Sequence, residues 1–217
     1  MSKEDQHSSY IIGEGLPFVF ASFLAAILIY WASFRFVSLF FFCLAFFITW
    51  FFRNPERETP EKEGLIISPA DGLVIKIEEA QSGEVPGQIM RKVSIFMNVF
   101  NVHVNRFPCS GEIRTINYRP GKFFSANLDK ASEANERNTV VIRMADGREI
   151  VTTQIAGLIA RRIVWWIKEH DTAQKGKRFG MIRFGSRLEV FMPLSSAVLV
   201  NIGDKVRAGE TPIGELT

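Results

Sequence analysis

Cysteine is nearly missing from this 217-residue sequence, with only Cys43 and Cys109 present. One lies inside an apolar run and the other follows His103, so neither a disulfide framework nor a cysteine-based zinc site can be built. A reducing, cytosol-facing compartment fits them. Histidine is equally scarce: His7, His103 and His170 are the full set, which leaves few candidates for chemistry that needs an imidazole. Strong charge of either sign is lacking too. The formal net charge is +3, and no Lys/Arg run is interleaved with aromatics, so nucleic acid is excluded as a partner. A weakly basic domain beside anionic lipid is compatible with that balance. There is no glycine-rich nucleotide fingerprint, and no small-residue cleavage site follows the first apolar run, so that run is not a secretory signal.

What is present divides into unlike parts, which the mean hydropathy of +0.09 averages away. Most of the 20 phenylalanines precede Arg53 and most of the charge follows it. Residues 1–15 form a polar tail. Residues 16–34 carry no charge, Arg35 interrupts, and residues 36–52 are again uncharged and rich in Phe. Each half is near the lower limit of about 17 residues for a membrane-spanning helix. Two short helices joined at Phe34-Arg35-Phe36 give a membrane hairpin. A single tilted helix would bury Arg35 at mid-bilayer, at a cost of about 3 kcal/mol or more, and a shallow re-entrant hairpin is a third arrangement. Trp31 and Trp50 suit interfacial anchoring. A charged, proline-punctuated linker covers residues 53–63, and a β-rich domain of residues 64–217 follows.

In that domain, β-branched runs at residues 65–67, 73–77, 93–104, 112–118, 140–143, 150–155 and 158–166 read as strands. Residues 117–138 read as a long loop. Two turns repeat: Asp171-Thr-Ala-Gln-Lys-Gly176 matches Asp204-Lys-Val-Arg-Ala-Gly209, and Pro69-Ala-Asp-Gly72 is echoed by Pro108-Cys-Ser-Gly111. The pattern resembles the lipoyl/biotinyl half-barrel, so the expected fold is mainly β: a compact β-sandwich or half-barrel with lipoyl-like pseudo-repeats, after an N-terminal helical hairpin. In Arg183-Phe-Gly-Ser-Arg-Leu-Glu-Val-Phe-Met-Pro193, apolar residues alternate around a Gly185-Ser186 pair. Alternation of period two is strand-like, and the glycine marks a bend or a close backbone approach.

Three segments in order, Ser68-Pro-Ala-Asp71-Gly72, Asn101-Val-His103-Val-Asn-Arg106-Phe-Pro108 and the Gly185-Ser186 stretch, resemble the phosphatidylserine decarboxylases, in particular their short bacterial and archaeal branch. The resemblance runs from the apolar segment to the end of the chain. It implies that the Gly185–Ser186 bond cuts itself and that Ser186 becomes a covalent pyruvoyl group, the only cofactor, with no metal. The ketone would form a Schiff base with the amine of phosphatidylserine, and loss of CO2 would give phosphatidylethanolamine. The large chain 1–185 and small chain 186–217 would stay together as a heterodimer at the cell membrane, with the catalytic domain facing the cytoplasm. Residue by residue, His103 matches the family's substrate-protonating histidine and Asp71 its triad aspartate, which would orient an imidazole. Longer members carry a second histidine where this chain has Arg106, and a guanidinium cannot act as a base. Either His103 serves both steps or the triad is organised differently, and Arg106 is a candidate for holding phosphate or carboxylate. Two other readings are an archaeal-type serine phospholipid as substrate, and a membrane-tethered lipoyl-like module without catalysis.

Overall fold

The computed structural model describes residues 9–125, 134–158, 162–183 and 185–217. His7, Phe184 and parts of the expected 117–138 loop and 158–166 strand lie outside the described residues. The chain divides into two compact units, Met1–Glu56 and Arg57–Thr217.

The first unit is a helical hairpin of α1 (Leu16–Trp31) and α2 (Arg35–Phe51). Helix α1 stops where Ser33 takes φ +68 and Phe34 N–H bonds back to the Ile29 carbonyl at 3.2 Å, a left-handed cap that closes the last turn. The break falls beside Arg35, which therefore starts α2 instead of sitting inside a continuous helix. Small buried residues line the seam: Ser22, Ala26, Ser38 and Ala45. Ser38 Oγ donates to the Ala26 carbonyl across it at 2.7 Å, the close approach that small residues permit between apolar helices. The far ends are tied by Ile12 N–H to Phe52 O (3.0 Å) and Asn54 N–H to Tyr10 O (2.7 Å). Each helix is about 24 Å long at 1.5 Å per residue, short of a hydrocarbon core of about 30 Å. With the preceding turn, Gly13–Trp31 is long and apolar enough to cross a membrane.

The second unit is mainly β and is built from two interlocked halves. One half is split in sequence: β1 (Leu65–Ile67), β2 (Gly72–Gln81) and β3 (Ile89–Met97), completed much later by β11 (Ser186–Pro193), β12 (Ala197–Val198), β13 (Lys205–Val206) and β14 (Pro212–Glu215). The other half is inserted between them without interruption: β4 (Val104–Arg106), β5 (Gly111–Arg119), β6 (Arg137–Arg143), β7 (Glu149–Ala156), β8 (Arg162–Trp165), β9 (Thr172–Ala173) and β10 (Arg178–Arg183). The large curled sheet has the order β13-β2-β3-β11-β7-β6-β5-β9, which reads alike from either edge, and the small sheets β1-β14-β12 and β4-β10-β8 match each other.

The hydrogen bonds repeat with the strands. Arg106 N–H donates to Pro69 O and Ile67 N–H to Pro108 O, both at 3.0 Å. Val74 N–H meets Asp204 O at 2.9 Å and Ile113 N–H meets Asp171 O at 3.0 Å. In the matching turns, Asp204 and Asp171 each accept from the N–H three residues earlier at 2.8 Å, a side-chain turn that fixes the repeat locally. The core lies between the sheets and takes equivalent residues from both halves, such as Val74 with Ile113, Ile95 with Ile142 and Val206 with Ala173.

Three expectations change. The expected 93–104 strand ends at Met97, because Asn98 and Asn101 fold the chain into a turn: Asn98 N–H donates to Asn101 Oδ1 at 2.9 Å and Phe100 N–H to Asn98 Oδ1 at 2.8 Å. His103 therefore lies in the irregular link to β4 and not within a strand. The 117–138 loop is shorter than expected, since β5 runs to Arg119 and β6 starts at Arg137.

Candidate active site

Strand β11 occupies the middle of the large sheet, paired antiparallel with β3 on one side and β7 on the other. Its first residue, Ser186, stands opposite Met97 and Ala156 and is wholly buried. Leu188, Val190 and Met192 follow it into the core. Arg187 and Glu189 occupy the opposite face, also buried, with Arg187 Nη1 3.4 Å from Glu189 Oε1. Gly185 has φ +50, the left-handed region that favours glycine. The Gly185–Ser186 bond lies where the chain leaves the inserted half and re-enters the split one. The matching place in the inserted half is an ordinary tight turn from Met144 to Arg148, closed by Met144 N–H to Arg148 O at 2.9 Å.

Among the described residues, Ser186 meets polar neighbours and one weak acceptor. Its hydroxyl donates to the thioether of Met97, with Oγ 3.3 Å from Sδ, a weak acceptor. The same sulfur lies 3.8 Å from Asn105 Nδ2. Gln154 Nε2 donates to Asn105 Oδ1 at 2.8 Å, and Asn138 Nδ2 to Gln154 Oε1 at 3.1 Å. All three amides are fully buried.

His103 is wholly buried two residues before Asn105. Its Nδ1 is 3.0 Å from the Asn101 carbonyl. A carbonyl can only accept, so Nδ1 carries the proton and the basic lone pair sits on Nε2. The His103 carbonyl in turn accepts from Ile182 N–H of β10 at 3.3 Å. The His103 imidazole is thus held at Nδ1 by a backbone carbonyl. The Asp71 carboxylate is bonded elsewhere: Arg57 Nη2 donates to both of its oxygens, at 3.1 and 2.9 Å, and Ala208 N–H to Oδ1 at 2.8 Å. In the inserted half, Ser110 Oγ accepts from Lys175 N–H at 3.0 Å in the matching turn. The capping role of Asp71 is therefore a property of the repeat.

Arg106 is buried, and its Nη1 donates to the Gly176 carbonyl at 2.8 Å. A Cβ on Gly209, which has φ +80, would come within 2.8 Å of Arg106 Cδ. The guanidinium is thus threaded between the two repeat turns, and the phosphate-holding role expected of it meets a side chain already engaged with backbone. Burial pushes the Cys109 thiol up to about 12, with Asp146 a lesser cause, so it carries no thiolate at working pH and is excluded as a nucleophile. His170 is exposed in its turn and bonded to Glu112 at 3.0 Å.

The sequence reading missed Met97, Asn105, Gln154 and Asn138. The signal was available for Asn105: superposing Pro69-Ala-Asp-Gly72 on Pro108-Cys-Ser-Gly111 sets it against Ile66, a polar residue in a core position.

Known proteins are similar to this chain over nearly its whole length. The family model described as phosphatidylserine decarboxylase matches residues 44–214. The phosphatidylserine decarboxylase proenzyme of Syntrophus aciditrophicus is 57% identical over 210 residues, covering 96% of this chain and 99% of the relative. Those of Ruegeria pomeroyi and Geobacter metallireducens are 49% and 45% identical, the first covering 94% of each chain and the second 95% of this chain and 96% of the relative. With matches of that extent spanning β1 to β14 and the Gly185–Ser186 junction, this chain belongs to the phosphatidylserine decarboxylase family.

Proposed function

We propose that the chain is a self-processing decarboxylase that turns phosphatidylserine into phosphatidylethanolamine and CO2 at the cytoplasmic face of a membrane, using a pyruvoyl group made from Ser186. The observation that carries the reading is the Gly185–Ser186 bond itself. A glycine at φ +50 precedes a wholly buried serine on the central strand, at the one place where the inserted half hands the chain back.

In self-cleavage, Ser186 Oγ bonds to the Gly185 carbonyl carbon and the Gly185–Ser186 C–N bond breaks. The hydroxyl proton passes to the freed amine and leaves an ester. Elimination then releases Gly185 as a carboxylate, and water hydrolyses the remaining enamine to a ketone and ammonia. Gly185 has no Cβ to obstruct the attack. The group fits its surroundings because it occupies the place of Ser186, whose neighbours Met97 and Ala156 bear no charge. The ketone supplies the electron sink for the pair released as CO2 leaves.

His103 is the proton-transfer group of this reading: Nδ1–H is held by Asn101, which turns the basic Nε2 to the task. A serine hydroxyl needs such a base to react, and Arg106 cannot provide it. After the cut, chain 186–217 stays with chain 1–185 through β11 between β3 and β7, β13 on β2 and β14 on β1. The helical hairpin exposes Phe18, Phe20, Leu24, Phe36, Phe40 and Phe46, an apolar surface suited to lipid. It would keep the enzyme at the bilayer that holds its substrate.

Intact-mass measurement tests the reading. The active enzyme should give two chains, 1–185 and 186–217, the second with a blocked amino end, while Ser186→Ala should give one uncut 24.6 kDa chain without decarboxylase activity. Full activity from an uncut parent chain would sink it.

A further inference from the structure

We propose that Asn105 is the hydrogen-bond donor for the negative charge that develops on the Gly185 carbonyl oxygen during self-cleavage, held for that task by Gln154 and Asn138. The inference rests on the self-processing reading above.

The two halves of the fold provide an internal control. Asn105 pairs with Gly180, and in the split half Ile66 pairs with Gly214. The next layer repeats as well. A Cβ on Gly180 would come within 3.3 Å of Gln154 Nε2, and one on Gly214 within 2.6 Å of Met192 Sδ. The same two core positions are thus Ile66 and Met192 in one half, and Asn105 and Gln154 in the other. The split half fills them with apolar side chains, so the architecture does not require amides there. The amides occur on the side whose chain of bonds ends at the sulfur that Ser186 also touches.

Their orientation is determined. Gln154 donates to Asn105 Oδ1 at 2.8 Å, which turns Asn105 Nδ2 toward Met97 Sδ. Gln154 is fixed in turn by Asn138, whose own Oδ1 has no partner among the described residues. A buried amide oxygen without a donor is costly, so the amide chain does not serve stability at that end. At its reactive end, two donors, Ser186 O–H and Asn105 N–H, converge on one thioether. Two buried donors that share one weak acceptor have capacity left for a developing anion. As Oγ bonds to the Gly185 carbon, the carbonyl π pair moves onto the Gly185 oxygen. The pair returns as the C–N bond breaks and the hydroxyl proton goes to the Ser186 nitrogen. No co-reactant is needed. A preorganised donor aimed at such an oxygen accelerates acyl transfer about 100- to 1000-fold.

The test follows the cleavage time course of the full chain, synthesised in the presence of phospholipid vesicles. Asn105→Ala should slow cleavage about 100-fold or more. Asn105→Asp, which keeps the volume and still accepts from Gln154, should be at least as slow because it offers no donor. Gln154→Met should slow it about 10-fold by letting the Asn105 amide rotate. The same changes on a Ser186→Ala chain give melting temperatures in the uncut state, and should Asn105→Ala melt early, the Asp variant decides. Hydroxylamine distinguishes a donor from a packing role. It cuts the ester once formed, so it should leave Asn105→Asp uncut, because that chain does not reach the ester. Cleavage of a folded Asn105 variant within about threefold of the parent, or its full rescue by hydroxylamine, would overturn the proposal. Both outcomes are distinct from an uncut, active parent, which would overturn self-processing instead.

Discussion

The split and inserted halves of the β domain share strand order, turn bonds and core, yet differ at a few matched positions, and these differences separate architecture from chemistry. Where the halves agree, as in the carbonyls of Asp204 and Asp171 accepting from Val74 and Ile113, the residues are needed to build the unit. Where they disagree, a second requirement has been added. Ile66 and Met192 against Asn105 and Gln154 is one disagreement. Asp71 with its Arg57 partner against Ser110 is another. Gly203 against His170 is a third. A lone glance at Asp71 suggests catalysis, but its counterpart makes the same backbone bond without a charge.

Exchanging the first pair should have the largest effect. Asn105→Ile with Gln154→Met, joined by Asn138→Leu because that amide would otherwise lose its bond to Gln154, should melt within a few degrees of the parent, since replacing every member of a buried hydrogen-bonded set by apolar groups is close to neutral. Self-cleavage should fall about 100-fold. The reverse exchange, Ile66→Asn with Met192→Gln, should leave the chemistry in place but cost about 3 kcal/mol in denaturant unfolding, through lost apolar burial and imperfectly paired amides. Equal stability losses from both exchanges would break the comparison.

The Asp71 pair sharpens it. Arg57 and Asp71 are nearly buried, with side-chain exposures of 8% and 13%. Asp71→Ala should therefore cost about 2 kcal/mol by taking from a nearly buried guanidinium the carboxylate that accepts two of its bonds and leaving it only Glu210, at 3.4 Å. Ser110→Ala, on an exposed turn, should cost about 0.5 kcal/mol. A loss of activity from Asp71→Asn beyond what its melting temperature explains would place Asp71 in the catalytic set beside its structural role.

At the third pair, Gly203→Ala should cost about 1 kcal/mol, because φ is +98 there. His170, at φ +69, accepts the same conformation and gains a bond to Glu112, which raises its pKa from the ordinary value. A raised folded-state pKa means that this contribution is complete below the usual imidazole value of about 6.5. It disappears as pH rises through the folded-state value. The melting temperature of the parent relative to His170→Gly should show that small decline with pH, and an unchanged difference would remove it.

Much of this was readable in the residues. The uncharged runs on either side of Arg35 gave two helices, because apolar length and an interrupting charge act locally. The Asp-x4-Gly turns gave the repeat, because a side-chain cap and a left-handed glycine need only their own neighbours. Gly185-Ser186, with the flanking motifs, pointed to the reaction. The end of β3 at Met97 was hidden because it depends on the Asn98–Asn101 turn outcompeting a β-branched continuation. The partner of Asp71 was hidden as well, since Arg57 reaches it from a linker segment that composition marks only as charged and proline-rich.

Local chemistry, then, pointed from sequence alone to an interrupted apolar segment and a repeated β domain, while the resemblance of three motifs singled out the Gly185–Ser186 bond. Only the tertiary structure decided that one half is inserted within the other. That arrangement sets Ser186 on the central strand and orients His103 from a backbone carbonyl. It also brings an amide chain from β4, β6 and β7 to the sulfur beside the serine hydroxyl. Such contacts join residues far apart in the chain, and their geometry exists only once long-range strand pairing has closed the sheet.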